Sequence, residues 1–424
     1  MAASLLPGRT KKESLMHTPF GHLTYCTNIH PGESWQDHFD AIQQHVPLVK
    51  KTISPDQPFG IGLRLSNIAS VQLAKEEELQ NFSQWLQEQS CYVFTINGFP
   101  YGSFHQTIVK DKVHEPDWTT MQRVDYTIRL AQILAAVLPD KIEGGISTSP
   151  LTYRHWQKSR GDRYTAFVSA TSHILQVVKA LVQLKLSTGK TIHLDIEPEP
   201  DGLLESGAEF LEWYNKYLLP MGTTYLKEQL QFDKSDAEKV IKEHVQLCYD
   251  VCHFAVGYER HEEVLQQLQL QQIKVGKIQI SAALKGIFSG SKSDRQKIID
   301  GFRQFNEPTY LHQVVAKMND GGLKRYSDLP QALQHADDPS VNEWRAHYHV
   351  PLFIDKYDAL QSTQKDIKQV LQLHCGRPFT THLEVETYTW DVLPQSLNLP
   401  LTQSITRELQ WVLEEMNVLK EVDS

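Results

Sequence analysis

Features that mark exported or membrane proteins are missing from this sequence. Its 424 residues include only five cysteines, an odd number, whereas small secreted domains carry even sets of disulfide-forming cysteines. The chain starts without the apolar core of a signal peptide, and no apolar run approaches the roughly 18 residues that cross a bilayer. These absences predict reduced thiols and a cytoplasmic protein.

Positive charge is also scarce. The 42 lysines and arginines are outnumbered by 51 aspartates and glutamates, which gives a formal net charge of −9 and a pI near 6.1. Proteins that bind nucleic acids through bulk attraction to phosphate carry an excess of positive charge. We therefore predict that the protein has no nucleic-acid partner.

Several familiar catalytic motifs are absent. The sequence contains no Gly-x-Ser-x-Gly nucleophile motif, no Walker loop, no His-Glu-x-x-His zinc motif and no dinucleotide fingerprint. The common serine hydrolases, nucleotide triphosphatases, zinc proteases and dehydrogenases are thereby excluded. The lack of a glycine-rich loop after the first β-type run also disfavours an open, doubly wound sheet.

Short β-type runs with helical segments between them organise the chain. Eight such alternations predict a closed (β/α)₈ TIM barrel, with a doubly wound open sheet as the alternative. A hydrophobic content of 40% provides enough apolar mass for a large core. The eight runs are His22–His30, Phe59–Ser66, Tyr92–Asn97, Glu143–Ser147, Thr191–Glu197, Val245–Asp250, Lys277–Ala282 and His382–Glu386.

Domain boundaries follow from this pattern. Residues 1–18 are basic and unpatterned and predict a flexible N-terminal tail, whereas residues 19–424 predict a single barrel domain. The interval 285–345 after the seventh run is too long for a plain connector. We expect an insertion that acts as a lid on the catalytic face, and the alternative is a surface decoration away from the site.

Three of the runs end in side chains that bind cations. Glu197 ends the fifth run and Glu386 ends the eighth. Asp250 ends the sixth run, and His253 comes three residues later. In a parallel barrel these positions meet at the carboxyl ends of the strands, where buried charges need a partner or a cation. They predict ligands for manganese, magnesium or zinc, although each acid could instead cap a helix.

Two further acids lie on the same strand faces but deeper in the barrel. Asp195 precedes Glu197 by two residues, and Glu384 precedes Glu386 by two. Because side chains alternate along a strand, each pair shares a face. We expect the two deeper carboxylates to need lysine, arginine or hydrogen-bond partners.

The other candidates are polar residues near strand ends. Gln279 lies in the seventh run, where its amide could bind metal weakly or only form hydrogen bonds. His347 and His349 have the spacing of metal ligands, but a lone His-x-His is common by chance. For His30 and His105, the alternative is an ordinary loop histidine. For Lys285, the alternative is an exposed lysine that binds nothing. The predicted substrate-binding residues are His30, Asn97, His105, Lys285, His347 and His349.

These residues carry a resemblance to one superfamily. The segment Cys248–Glu259 resembles the endonuclease IV-type motif in which an aspartate and a histidine bind metal. Glu386 followed by Thr387 resembles the last metal-binding glutamate of the xylose isomerase-like and endonuclease IV-type barrels, and Glu197 resembles their bridging or catalytic glutamate on the fifth strand. The resemblance spans most of residues 20 to 420 and implies a TIM barrel that holds a divalent metal ion.

Three segments are similar to a narrower group, the EboE metabolite-traffic family. They are Gly21–Glu33, Asn97–Gly102 and His347–Phe353. That family is encoded with a prenyltransferase-like membrane protein and with enzymes implicated in moving or maturing secondary-metabolite precursors. The resemblance implies a small-molecule metabolite as the ligand and a membrane-protein partner from the same pathway.

One departure from the superfamily concerns the metal ligands. Gln279 stands where the superfamily usually has a metal-binding histidine on the seventh strand. A three-zinc nuclease site would also need histidines at the second and third strands, and Asn67 stands near the second. With the acidic net charge, these differences argue against nuclease activity.

The leading hypothesis is a metal-dependent sugar or polyol isomerase or epimerase that acts on a small hydroxylated metabolite. Glu197 and Glu386 would transfer protons, and Glu197, Asp250, His253, Gln279 and Glu386 would hold the metal. A non-catalytic metabolite carrier is the second hypothesis, and a metal-dependent phosphoesterase is the third. The sequence does not determine the substrate or the oligomeric state.

Overall fold

Eight parallel strands form the centre of the protein. The computed structural model describes residues 17–105, 107–393 and 400–422, so most of the predicted N-terminal tail, residues 1–16, lies outside the described residues. The short strand His17–Thr18 pairs antiparallel with the start of the first barrel strand. The barrel strands, from first to eighth, are Gly21–Tyr25, Phe59–Arg64, Cys91–Asn97, Gly144–Thr148, Ile192–Ile196, Val245–Asp250, Val275–Ile280 and His382–Val385.

The strands close into a barrel. Neighbouring strands pair in parallel from the second to the eighth, and the eighth also pairs with the first. The first and second strands meet through a bridge between Cys26 and Gly62, and the Thr24 hydroxyl donates to the Gly60 carbonyl at 2.7 Å. This closure confirms the predicted (β/α)₈ barrel.

Helices cover the outside of the barrel. Ser34 and Ser159 each begin a helix in a capping box, in which the serine hydroxyl accepts the N–H of an aspartate three residues later and that aspartate bonds back. The helices around the barrel are Trp35–Ile53, Asn67–Leu73, Glu76–Glu88, Met121–Val137, Arg160–Thr188, Gly207–Trp213, Leu219–Leu230, Lys234–His244, Val251–Val256, His261–Leu270, Gln364–Gly376 and Leu401–Val422.

Contrary to the expectation from the sequence, one of the described helices is long and apolar enough to cross a membrane by length and composition. It is Arg160–Thr188, with a mean hydropathy of 1.3 over its most apolar window, half of which is buried. The helix packs against Met121–Val137 and Leu219–Leu230. This packing accounts for its apolar composition.

The insertion after the seventh barrel strand has a sheet of its own. It starts at Ala282, directly after Ser281, and its last strand ends at Ser362, so it is longer than the predicted interval 285–345. The insertion contains the helix Lys292–Gln304 and a second, shorter helix, Leu329–Leu333. In spatial order, the strands of the antiparallel insertion sheet are Leu323–Tyr326, Val314–Met318, Val341–Val350, Ala282–Ile287, Leu360–Ser362 and Lys356–Tyr357.

The interior of the barrel holds the two deeper carboxylates. Asp195 lies 2.6 Å from His193 Nδ1. Glu384 forms an ion pair with Lys277, and the ammonium of Lys277 also donates to Ser147 Oγ at 3.0 Å. Asp195, Glu384 and Lys277 are fully buried. Both deeper acids therefore have internal partners, as expected. The acids nearer the strand ends lie at the mouth of the barrel.

Candidate metal centre

Three carboxylates converge at the carboxyl ends of the barrel strands. Glu197 directly follows the fifth strand, Asp250 ends the sixth, and Glu386 directly follows the eighth. One oxygen from each lies within 4.8 Å of the others. The three residues are at most 4% exposed. The structure thus brings together three of the residues that the sequence nominates as metal ligands.

Hydrogen bonds fix one oxygen of Glu386. Its Oε1 accepts from Asn28 Nδ2 at 2.8 Å and from Asn97 Nδ2 at 2.9 Å. Asn28 follows the first barrel strand, and Asn97 ends the third. Asn97, predicted to bind substrate, therefore also orients a carboxylate of the site.

Asp250 has one bonded and one unbonded oxygen. Its Oδ1 accepts from Ser281 Oγ at 2.8 Å and from the backbone N–H of His253 at 2.9 Å. The second bond caps the helix Val251–Val256, so the capping interpretation holds for this oxygen. Asp250 Oδ2, like Glu197 Oε2, is buried and has no protein hydrogen-bond partner. Each of these oxygens is available to a cation.

Crowding of the carboxylates changes their proton affinities. Burial raises the pKa of Glu197 well above its usual value, and repulsion from Glu386 and Asp250 adds to this. Burial also raises the pKa of Glu386, again with repulsion from Asp250. Burial alone would raise the pKa of Asp250, but His253, His349 and the hydrogen bonds to Oδ1 bring it below its usual value. Without a cation, Asp250 carries the charge and the two glutamates favour protons.

Three imidazoles lie beside the carboxylates. His253 is in the helix Val251–Val256, whereas His347 and His349 lie on the insertion strand Val341–Val350. Ligand atoms of Asp250, His253 and His349 lie within 4.8 Å of one another. The insertion therefore brings two side chains to the mouth of the barrel.

His349 is oriented towards Asp250. Its Nδ1 is 2.9 Å from the Glu386 carbonyl oxygen and must donate, because a carbonyl only accepts. Its Nε2, 3.9 Å from Asp250 Oδ2, is buried without a hydrogen-bond partner. Burial lowers the pKa of His349 to about 4, although Asp250 opposes the shift. A neutral ring with a free Nε2 lone pair is the form that binds metals.

Glu197 and Glu386 lie with the three histidines at the floor of a pocket. The pocket has a volume of about 490 Å³, which includes open solvent. Most of its walls are aromatic or aliphatic. The insertion contributes Tyr310, Leu311, His347 and His349 to the lining. The full lining is Asn28, Asn97, Phe99, Pro100, Phe104, Val109, Lys110, Val113, Glu197, Glu199, His253, Tyr310, Leu311, His347, His349, Glu386 and Tyr388.

Three predicted site residues are placed differently. Gln279 lies in the barrel interior, where its oxygen accepts from the Cys248 thiol at 2.9 Å, and it does not line the pocket. His30 contacts Tyr25 at 3.1 Å and does not line the pocket. Lys285 is on the insertion strand Ala282–Ile287 and also lies outside the pocket lining. The structure gives no support to a metal contact by Gln279 or a substrate contact by His30 or Lys285.

His105 supports the pocket wall from behind. Its Nε2 lies 2.5 Å from the Asn28 carbonyl oxygen, and its Nδ1 lies 3.1 Å from Tyr310 Oη. It therefore connects the loop after the first strand to the insertion. His105 does not line the pocket, and its role in substrate binding stays a prediction.

Sequence reasoning missed Glu199 and Asn28. Glu199 lines the pocket and lies within 4.8 Å of ligand atoms of His253 and His347. The signal was present in Glu197-Pro198-Glu199, where two acids are separated by one residue. Asn28 had no such signal, because only the closed barrel brings the loop after the first strand next to Glu386.

Comparison with known proteins supports the fold. No family model matches the chain, and no curated protein matches it, so membership of the EboE family stays a prediction. A D-tagatose 3-epimerase-like protein is similar in structure, with a TM-score of 0.50 and 9% identity over 95% of this chain and 100% of that chain. A xylose isomerase-like TIM barrel protein from Mycobacterium smegmatis in complex with magnesium has a TM-score of 0.47 and 9% identity, covering 94% of this chain and 97% of that chain. The fold is therefore a TIM barrel, like that of the D-tagatose 3-epimerase-like protein.

Proposed function

We propose that the protein is a metal-dependent isomerase or epimerase that acts on a small hydroxylated metabolite. The observation that carries the proposal is the convergence of three buried carboxylates and the free Nε2 of His349 beneath the pocket. Glu197, Asp250 and Glu386 would hold a divalent ion, manganese, magnesium or zinc, with His349 in place of a seventh-strand ligand. When bound, the ion would supply positive charge to polarise hydroxyl and carbonyl oxygens.

Glu197 and Glu386 are the groups that would move protons. Both line the pocket, whereas Asp250 lies beneath it. Burial and repulsion from neighbouring carboxylates raise the pKa values of both glutamates, so each holds a proton to a higher pH than an ordinary glutamate and can act as an acid as well as a base. The apolar walls would exclude water from the reacting carbon.

The pocket suits a neutral ligand of modest size. Its volume of about 490 Å³ includes open solvent, so only a small ligand fits above the carboxylates. Among the described residues of the lining, Lys110 is the only lysine or arginine, and its ammonium already binds Asp328 and the Tyr310 carbonyl, each at 2.7 Å. This environment disfavours a phosphorylated substrate and therefore the phosphoesterase hypothesis.

A metabolite carrier is the second candidate function, favoured by the aromatic walls formed by Phe99, Phe104, Tyr310 and Tyr388. In this case the pocket would hold a pathway precursor in the cytoplasm for a membrane-protein partner. Saturable binding of a polyol without exchange of carbon-bound hydrogen would favour the carrier. Exchange of that hydrogen with solvent would favour the enzyme.

The first test is the metal content of the purified, untagged protein after dialysis. We expect a divalent ion at the carboxylate site, and we expect the variant Glu197→Gln/Asp250→Asn to lose it because two anionic ligands are removed. The matched control is Glu77→Gln/Asp56→Asn, in which both residues are exposed. A wild-type protein that takes up no metal even when supplied with manganese, magnesium and zinc would contradict the enzyme proposal.

Metal binding is also expected to depend on pH. Glu197 and Glu386 have raised pKa values, so they keep protons to a higher pH than ordinary glutamates, and the ion must displace those protons. The apparent affinity for Mn²⁺ should fall as the pH falls through the raised pKa values, and binding should release protons. Calorimetric titrations in two buffers with different ionisation enthalpies measure this release. Glu197→Gln should release fewer protons, and equal heats in both buffers would contradict the expectation.

A further inference from the structure

A single carboxylate interrupts the apolar inner face of the C-terminal helix Leu401–Val422. Glu408 lies on this face and is 1% exposed. A buried carboxylate is costly unless its oxygens accept hydrogen bonds, so the partners of Glu408 are informative. The buried apolar residues around it recur every three or four positions, as expected for a helix packed on a core, and they are Ile405, Leu409, Val412 and Met416.

Two hydrogen bonds from different parts of the chain meet at one oxygen of Glu408. Its Oε1 accepts from Thr387 Oγ1 at 2.8 Å and from the backbone N–H of Leu352 at 3.1 Å. Thr387 directly follows Glu386. Leu352 lies two residues after the insertion strand Val341–Val350. One carboxylate therefore links the loop after the eighth barrel strand to the end of the insertion strand.

The same two segments bond to each other at the metal centre. His349 Nδ1 donates to the Glu386 carbonyl at 2.9 Å, and the Thr389 hydroxyl donates to the His349 carbonyl. The eighth barrel strand ends at Val385, so bonds made by side chains replace the strand ladder beyond this residue. The relative position of Glu386 and His349 therefore depends on contacts between the loop and the insertion.

The insertion segment is held at Leu352 through both groups of its backbone. The N–H of Leu352 donates to Glu408, and its carbonyl accepts from Gln364 Nε2 at 2.6 Å. Gln364 is the first residue of the helix Gln364–Gly376. Two helices on the outside of the barrel thus fix the end of the strand that carries His349.

Glu408 keeps its place in spite of an unfavourable environment. Burial raises the pKa of Glu408 to about 8, although the hydrogen bonds from Thr387 and Leu352 oppose this shift. An apolar side chain would continue the inner face of the helix without the cost of burying a carboxyl group. Exceptions of this kind to the helix pattern are typical of positions that serve a functional site.

We propose that Glu408 is a positioning residue that sets the placement of Glu386 relative to His349. This inference rests on the proposed function, in which both residues belong to the metal centre. Glu408 does not line the pocket, and it acts through Thr387 and Leu352. The C-terminal helix therefore contributes to the site from outside the barrel.

The first test compares Mn²⁺ binding by full-length wild type, Glu408→Leu and Glu408→Gln after removal of metals with a chelator. Leucine continues the apolar face but accepts no hydrogen bond, whereas glutamine keeps an acceptor oxygen of the same reach. We expect Glu408→Leu to weaken binding, measured by calorimetry, about 10-fold, the lower end of the effect of losing an outer contact of a metal ligand. Glu408→Gln should restore most of the affinity. The matched control is Glu414→Leu, at an exposed residue of the same helix, and it should bind Mn²⁺ like the wild type.

The second test needs neither metal nor substrate. Backbone hydrogen exchange of the metal-free protein, followed by mass spectrometry, reports local opening of each segment. In Glu408→Leu, residues 347–353 and 384–390 should exchange faster than in the wild type, and the barrel strand Ile192–Ile196 should be unchanged. Thr387→Val should speed exchange in residues 384–390 and keeps the test informative if Glu408→Leu does not fold.

The two measurements separate this inference from the proposed function. Wild-type Mn²⁺ affinity in Glu408→Leu, equal losses in Glu408→Leu and Glu408→Gln, or faster exchange throughout the protein would overturn the positioning role. Local exchange at the two segments in a wild type that takes up no metal would support the link through Glu408 and refute the proposed metal centre.

Discussion

Replacing Glu386 by glutamine is expected to lower the rate of carbon-bound hydrogen exchange by about 10²–10⁴-fold, the usual contribution of a general acid or base. Glu386 lines the pocket, and its carboxylate is held by Asn28 and Asn97. Glutamine has the same shape and can still accept those two hydrogen bonds. The substitution therefore removes the proton-transfer capacity and one negative charge with little effect on packing.

Deuterium incorporation into a panel of ketoses, aldoses and cyclic polyols, followed by NMR in D₂O with Mn²⁺, measures this effect. Circular dichroism checks that the fold is intact, and the exposed Glu77→Gln is the matched control. A Glu386→Gln variant with wild-type exchange would remove Glu386 from the mechanism. Exchange that is absent from the wild type across the panel would favour the carrier.

Replacing Lys277 by methionine is expected to destabilise the protein by about 3–5 kcal/mol, because it leaves a buried carboxylate without its counter-charge. Lys277 and Glu384 are fully buried and form an ion pair inside the barrel. The site depends on the same residue, since Lys277 is the cation that lowers the pKa of Glu197 and of Glu386. Urea denaturation of the metal-free protein measures the loss of unfolding free energy.

The double variant Lys277→Met/Glu384→Met tests the physical reason. A buried ion pair replaced by apolar side chains of similar volume often costs little, so the double variant should be more stable than Lys277→Met alone. The coupling between the two substitutions gives the interaction free energy. Additive losses in the double variant would show that the ion pair is not the cause of the destabilisation.

The barrel could be predicted because its signals are local. Buried parallel strands appear in the sequence as continuous apolar runs, and the sixth run, Val245–Asp250, matches its strand residue for residue. The bounds of the seventh run, Lys277–Ala282, were displaced. The barrel strand is Val275–Ile280, and Ala282 already begins the first strand of the insertion. Two consecutive strands separated by one residue give a single β-type signal.

The sequence predicted the insertion only as a long interval, and it did not predict the sheet that the insertion forms. The strand Ala282–Ile287 pairs with Val341–Val350 across a long loop, and no local pattern encodes such a partner. The extension of the insertion to Ser362 has the same origin, because the strand Leu360–Ser362 completes the sheet by pairing with Ala282–Ile287.

The sequence by itself determined the barrel and the placement of Glu197, Asp250 and Glu386 at strand ends, because strand periodicity and burial are written into neighbouring residues. Only the tertiary structure decided which imidazoles join them. His347 and His349 reach the site because a distant strand folds back over the barrel, whereas Gln279 is committed to an internal hydrogen bond. Contacts between residues far apart in the chain depend on how elements pack, and that packing is decided by the whole core.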